Sequence, residues 1–459
     1  MSELLQSIEK HLGFIPTDKQ GILMVGLSEF VTHRSPGDVF VLNGYAGTGK
    51  TSVVSALVKA LAEKNVPMVL LAPTGRAAKV FSSYCGHNVQ TIHKRLYRAD
   101  SPDPASANYF IAGNKDRGAL FIVDEASMIS DGASGGNLLE HLVRHVYSSP
   151  GCNLLLIGDV AQLPPVGQPN SPAMEKLRLQ ELRLNPYGFV LDEPIRQAAH
   201  SGILYNATRI RRRMAKEILP PPQMWAEEFA DVEVLTSEYL AERIGDSYSS
   251  VGQDETIVIT RSNKRANIYN NGIRAMVLDA EEELQRDERL VVAKNNYHWA
   301  KDIDEIDFIA NGDIVRISWI GRTEEVYGHR YADVELEYPG TEIGVSAKIL
   351  LDGLQSDAPA MSSDEMNRIY TQIMDETEGS LSAKLKAVQN DPYYNALQVK
   401  YAYCLTCHKA QGGQWRHVYI DMGALQPDAL NLDFYRWLYT AVTRASEQLY
   451  LINPSIPVK

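Results

Sequence analysis

Residues 44–51 read Gly-Tyr-Ala-Gly-Thr-Gly-Lys-Thr, a run of residue types suited to holding phosphate. The small residues Gly44, Ala46, Gly47, Thr48 and Gly49 let the backbone wrap closely and turn its N–H groups toward phosphate oxygens. Lys50 adds a point charge, and Thr51 offers a hydroxyl to magnesium. The predicted ligand is a nucleoside triphosphate, ATP, with Mg2+. A second group follows at Asp124 and Glu125. In a phosphate-loop site the first acid holds magnesium, directly or through water, and the second orients and deprotonates the attacking water. Acids are also common at helix N-termini. That alternative accounts for neither the apolar run before these two nor the loop upstream. Gln162 stands in Gly-Asp-Val-Ala-Gln-Leu-Pro-Pro-Val (158–166), where its amide can donate to the γ-phosphate and accept from a water.

Apolar runs must position these groups. One at 39–42 leads into the phosphate loop, and Val53, Val54, Leu57, Ala60 and Leu61 follow it at helical spacing. Others lie at 68–71, 120–123, 154–157, 257–259, 418–420 and 449–452. Continuous short apolar runs separated by helical patterns predict parallel strands buried on both faces, hence an α/β fold with ligands at the strands' carboxyl ends. Residues 101–118 break this rhythm with Pro102, Pro104, Gly113 and Gly118, which predicts a long loop or a small hairpin insertion. After Asn311-Gly312, the residues Ile314, Arg316, Val334, Leu336 and Val345, with a Pro339-Gly340 turn, predict short antiparallel strands. Polar residues dominate 352–391, and the α/β pattern resumes near Val399. A small β-domain is thus expected inside the second α/β domain. There is no internal repeat, and the three prolines at 220–222 read as a rigid connector.

A chain of 459 residues is long enough for about two to four domains. No apolar run approaches the roughly 20 residues of a membrane helix, and the first residues lack the basic-then-apolar order of a signal peptide. Cys85, Cys152, Cys404 and Cys407 are too few and too unevenly spaced for a disulfide framework. A cytoplasmic protein without a membrane partner is expected. The net charge of −12 argues against sequence-blind nucleic-acid binding by the whole surface, while leaving room for a local basic track.

The ordered set Gln20, GYAGTGKT, LAPTGRAAKV (71–80), TIH (91–93), DEAS (124–127), GDVAQLPPV, Arg196-Gln197, CHKAQGGQW (407–415) and YTAVTRA (439–445) resembles superfamily 1 DNA helicases of the RecD-like group, most of all the Dda-type enzymes. The resemblance covers nearly the whole chain, with the motifs in family order. It implies two RecA-like domains, at about 1–185 and about 186–310 plus 398–459. It also implies a short insertion near 98–118 and an SH3-like domain at about 311–397. By the same resemblance Gln20 reads the adenine edge, Gln162 couples nucleotide to DNA, Gly412 lies at the nucleotide, and Arg196 and Arg444 reach the γ-phosphate from the second domain. Pro73, Thr74, Arg76, Thr91, His93, His408, Lys409 and Gln411 form the DNA track. The implied activity is ATP-dependent 5′-to-3′ translocation on single-stranded DNA with unwinding at single-strand/duplex junctions, by a monomer serving replication or repair proteins. Translocation without unwinding, and a DNA-independent phosphate-loop kinase or scaffold, are the alternatives. Tyr97 or Tyr109 would stack on a base or split the duplex, or else anchor a loop.

Other patterns carry less. Cys404-Leu405-Thr406-Cys407-His408 matches a haem-attachment spacing but coincides with a helicase motif. A zinc site lacks a second closely spaced cysteine pair. Arg209, Arg211, Arg212 and Arg213 are expected on the solvated side of a helix whose apolar side is Ile203, Ala207, Ile210 and Met214. Gln414 and Ile195 depart from the family pattern near the ribose and base, which leaves the choice among triphosphates open.

Overall fold

The structure is a computed structural model describing residues 3–99, 109–131, 137–193, 200–216, 219–301, 303, 306, 308–426 and 429–459. The first sheet takes in β1 (Asp38–Gly44), β2 (Met68–Ala72) and β3 (Gln90–Thr91). Beside it, β4 (Tyr97–Ala99) and β5 (Tyr109–Ile111) pair as a separate hairpin. The sheet continues with β6 (Leu120–Val123), β7 (Asn153–Gly158) and β8 (Asn185–Leu191), in the order β3-β2-β6-β7-β1-β8. All its pairings are parallel. Phe40, Leu42, Leu155 and Ile157 enter one hydrophobic core, while Val39, Val41, Leu154 and Leu156 enter another. Successive side chains point to opposite faces, so a strand clad by helices on both sides is apolar at every position.

The second sheet contains β9 (Val232–Leu235) and β10 (Thr256–Thr260). The chain then leaves it for β11 (Arg289–Val292), β12 (Ile314–Val326), β13 (His329–Glu337), β14 (Gly344–Leu350) and β15 (Leu397–Tyr401), which form a closed barrel. It returns through β16 (Cys404–Thr406), β17 (Trp415–Asp421) and β18 (Ala445–Ile452), giving a parallel sheet in the order β16-β10-β17-β18-β9. A helical pair, Ser363–Glu376 and Leu381–Asn390, sits between β14 and β15. Val258, Tyr419 and Tyr450 of the second sheet share one hydrophobic cluster with Leu290, Ile317 and Val334 of the barrel. The barrel is therefore packed as part of the second domain.

Two expected boundaries move. β8 pairs with β1 from Asp38↔Asn185 to Gly44↔Leu191, which carries the first domain through Leu191, past the break expected at 185. β11 pairs with both β12 and β15, so barrel closure draws in 289–292 and 398–401, outside the expected 311–397. Arg289–Val292 and Leu397–Tyr401 carry no local mark of barrel membership, and only their partners assign them to it.

The insertion in the first domain is the β4–β5 hairpin, and 100–108 lie outside the described residues. Tyr97 is anchored at its base by a 2.8 Å hydrogen bond between its hydroxyl and His141 Nδ1. The side chain of Tyr109 lies outside the description, and Phe110 stands 50% exposed.

Candidate nucleotide and nucleic-acid site

The phosphate loop joins β1 to the helix Lys50–Glu63, whose N-cap Gly49 has φ +75°, a conformation that glycine adopts without strain. No side chain caps this helix, so its first N–H groups are left for an anion. A cavity of about 210 Å³ opens here between the domains. Gly44, Ala46, Gly47, Gly49, Lys50, Thr51, Asp124, Glu125, Asp159 and Gln162 line it from the first domain, and Gly412 and Arg444 from the second. Those of the first domain lie at or after the ends of β1, β6 and β7, the carboxyl ends where an α/β sheet binds ligands.

Charge is concentrated in this cleft. Burial opposes the Lys50 ammonium, but Glu125, Asp124 and Asp159 outweigh it and hold its pKa above the ordinary value. Asp124 is pushed up to about 6 by burial, with Lys50 pulling it down and Glu125 adding to the rise. Glu125 has a left-handed backbone, φ 51°. Such a conformation costs on the order of 1–3 kcal/mol in a non-glycine residue and clusters at functional sites. Glu125 Oε2 and Gln162 Oε1 are buried without hydrogen-bond partners among the described residues. Buried polar atoms are otherwise nearly always paired. Two orphaned acceptors beside an ammonium and uncapped helix amides fit a triphosphate with its metal, and Thr51 and Asp124 are the residues that would hold Mg2+.

Arg444 is fixed before any ligand arrives. Its Nε donates to Thr440 O at 3.0 Å, Nη1 to Gly413 O at 3.0 Å and Nη2 to Thr443 Oγ1 at 3.2 Å. Its charge is felt at Lys50 across the cleft.

Two expected nucleotide residues, Gln20 and Thr48, do not line this cavity. Gln20 is fully buried, its Oε1 accepting from Thr17 N at 3.0 Å and its Nε2 donating to Thr48 O at 2.9 Å. It caps the helix Asp18–His33 and braces the phosphate loop; the spacing Thr17-x-x-Gln20 is a capping-box signal. Thr48 turns inward, its hydroxyl donating to Tyr45 O at 2.7 Å. Arg196 lies outside the described residues.

On the other side of the domain junction, two cavities of about 750 and 480 Å³ share Thr74 and Asn311. Pro73, Thr74, Arg76, Thr91, His93, His408, Lys409 and Gln411 all line them. Thr74 caps the helix Gly75–Cys85, accepting from Ala77 N at 3.2 Å while its hydroxyl proton remains available to an acceptor. Arg76 packs 3.8 Å over the Trp415 ring. Burial, with Arg289 and Arg444 nearby, lowers its pKa to about 9, still charged at neutral pH. Burial and Lys400 bring Lys409 down to about 8.

A short loop joins cleft to track. Asp159 and Gln162 line the cleft, and Val166 lines the track. Leu163 N donates to Thr440 Oγ1 at 2.9 Å, and Gln411 Nε2 donates to Leu163 O at 2.8 Å. Ala161 and Leu163 pack into the core of the second domain, although they follow a strand of the first.

Residues 29–217 match the family described as an AAA domain, and residues 401–452 match the UvrD-like helicase C-terminal domain. The chain is 33% identical to the ATP-dependent RecD2 DNA helicase of Deinococcus radiodurans over 39% of its own length and 23% of that protein's. An uncharacterized protein of Acanthamoeba polyphaga mimivirus is 22% identical over 94% of this chain and 98% of its own. The crystal structure of Pif1 helicase from Bacteroides in complex with ADP-AlF3 and ssDNA superposes with a TM-score of 0.51 at 15% identity, covering 96% of this chain and 93% of that one. Together these matches support a RecD/Pif1-like helicase of superfamily 1. Its architecture is two RecA-like domains carrying a small inserted barrel.

Within this RecD/Pif1-like frame, several site residues escape sequence reasoning. Tyr439 is 1% exposed; its hydroxyl donates to Asp159 Oδ2 at 2.6 Å and accepts from Ala46 N at 3.0 Å, tying the second domain to both the phosphate loop and the loop after β7. Asp159 had a local signal, an acid directly after an apolar strand, as at Asp124. Tyr439 had none. The arginine cluster is corrected too: only Arg212 is exposed. Arg209 packs 4.1 Å over Trp225, Arg213 donates to Gln223 Oε1 at 3.3 Å, and Arg211 lies 4.1 Å over the phosphate-loop residue Tyr45. Cys404 and Cys407 are buried in separate cores, one on each face of the second sheet.

Proposed function

We propose that this protein is an ATP-dependent DNA helicase that moves 5′-to-3′ along single-stranded DNA and separates strands at junctions. One observation carries the reading: the loop from Asp159 to Val166 lines the nucleotide cleft at one end and the track at the other, and is hydrogen-bonded to the second domain in between. A shift of that loop on nucleotide turnover alters both sites at once. Bound Mg2+ would neutralise charge on the phosphates and orient them. Lys50 and the free helix amides bind the β- and γ-phosphates, Glu125 takes the proton of the attacking water, and Gln162 orients that water. Arg444, preset in the second domain, stabilises the charge that builds on the transferred group as the cleft closes. Thr74, Thr91 and the basic side chains grip phosphates without reading base identity, so movement is sequence-tolerant. The β4–β5 hairpin, beside His93 on the first domain, is the proposed wedge. The 5′-to-3′ direction rests on the resemblance of GDVAQLPPV and CHKAQGGQW to that branch.

Unwinding of matched duplexes carrying a 5′ or a 3′ single-stranded tail, with ATP and magnesium, tests this reading against a Lys50→Ala control. Displacement from the 5′-tailed duplex alone, lost in the control, is the expected result. Displacement from the 3′ tail overturns the direction, and none from either overturns strand separation.

A further inference from the structure

The described residues between β11 and β12 form an arm on the barrel that none of the sequence motifs covers. Asn296 and Ile309 exchange backbone hydrogen bonds of 2.8 Å across it. Asn296 Nδ2 and Trp299 Nε1 both donate to Asn395 O at 2.8 Å, and Asn311 N donates to Asn295 Oδ1 at 2.7 Å. Trp299, Ile303 and Ile306 of the arm pack against the barrel core. Tyr297 and Phe308 do not. Their rings stack on each other, 5.1 Å between centroids and 30° between planes, and both line the 480 Å³ cavity opposite Pro73, Thr91 and His93 of the first domain.

We infer that Tyr297 and Phe308 form an aromatic bracket on which the single strand stacks an unpaired base, at the end of the track nearest the β4–β5 hairpin. Four observations support the site. The pair is held on a braced arm, so little ordering is needed on binding. The cavity it lines continues the track through Thr74 and Asn311. Lys294 and Asn295 are exposed on the same arm and line the same cavity, giving a cation and an amide for the adjoining phosphate. On the facing wall, His93 belongs to the helix Ile92–Leu96 that runs directly into β4, with its ring 5.7 Å from Tyr97. The occupant is a nucleic-acid single strand, because an aromatic face accepts any base and a duplex presents none. Since the barrel shares its core with the second domain, the bracket is a grip on the strand carried by that domain and facing the first. The inference rests on the proposed function.

The test is binding of a fluorescein-labelled oligothymidine by the nucleotide-free full chain, followed by anisotropy across a salt series. Replacing both rings, Tyr297→Ala with Phe308→Ala, should weaken binding about 10-fold or more, as loss of a stacked base does. The slope of log affinity against log salt should stay as in the wild type, since no phosphate contact is lost. Lys294→Ala should do the reverse, lowering the slope by about 0.7 with a smaller loss at high salt. The pair Tyr297→Leu with Phe308→Leu keeps apolar bulk without a π-face. It should match the alanine pair in affinity and the wild type in melting temperature, while Tyr297→Phe should bind as the wild type does. With 2-aminopurine walked along the strand, one position should be quenched in the wild type and released in the leucine pair. If the wild type binds and the leucine pair binds equally well, the bracket is overturned and the track stands. A wild type that binds no strand overturns the proposed function, and the bracket with it.

Discussion

Tyr439 and Asp159 provide a direct test of how the two domains are coupled. The tyrosine hydroxyl donates to Asp159 Oδ2 at 2.6 Å, and both residues are 1% exposed, so water cannot replace the bond. Burial and the neighbouring carboxylate push the Tyr439 hydroxyl well above its ordinary pKa, so it keeps its proton and acts as the donor. A hydrogen bond to a charged partner in such a place contributes about 1.5–3 kcal/mol. Tyr439→Phe removes the donor with no change of shape. Asp159→Asn removes the charge while leaving an oxygen that can still accept from Ala161 N, now at 2.9 Å. If the bond helps assemble the cleft for turnover, the two single variants and the double variant form a non-additive cycle in kcat/KM for strand-stimulated ATP hydrolysis. The coupling expected is about 1–2 kcal/mol, a factor of about 5–30, because the amide nitrogen left facing Tyr439 can still donate to its hydroxyl oxygen. Nucleotide-free binding of the single strand, measured on each variant, reports whether the fold is intact. Additivity within about 0.5 kcal/mol, with strand binding preserved, would refute the reasoning.

Three further outcomes are expected. Lys409 sits at about 8, so its ammonium is charged below that pH and lost above it. Strand affinity should therefore fall as pH rises from about 7 to 9, with the salt slope shrinking by about 0.7, and Lys409→Arg should flatten the profile; an equal fall in the arginine variant removes Lys409 as the cause. Arg444→Lys cannot reproduce the fork held by Thr440, Gly413 and Thr443, so kcat for ATP should drop about 1000-fold or more while strand affinity is kept. An unchanged kcat would exclude it from the reaction. Phe110→Ala on the β4–β5 hairpin should slow strand displacement several-fold and leave strand-stimulated ATPase intact; a parallel loss of both would point to the fold and away from a wedge.

Local chemistry was legible in the chain itself. The phosphate loop, Asp124 and Glu125 are each written as an apolar run followed by the reacting residue type, because a buried parallel strand and the turn at its carboxyl end are neighbours in sequence. The eight track residues were reached through motif resemblance, and they line two joined cavities drawn from both domains. Where the reading missed, the cause is contact between distant residues. Gln20 was expected at the adenine edge, and its tie to Thr48 of the phosphate loop, twenty-eight residues away, has no mark in the sequence. The barrel was placed too narrowly because β11 closes it only by meeting β15, more than a hundred residues later. Tyr439 reaches Asp159 across 280 positions and Ala46 across 393. Sequence determined which residues could do the chemistry, through patterns a few residues long. Tertiary structure decided which of them face one another, because a hydrogen bond or a stacked ring depends on position to within an ångström and nothing in the intervening chain encodes that distance.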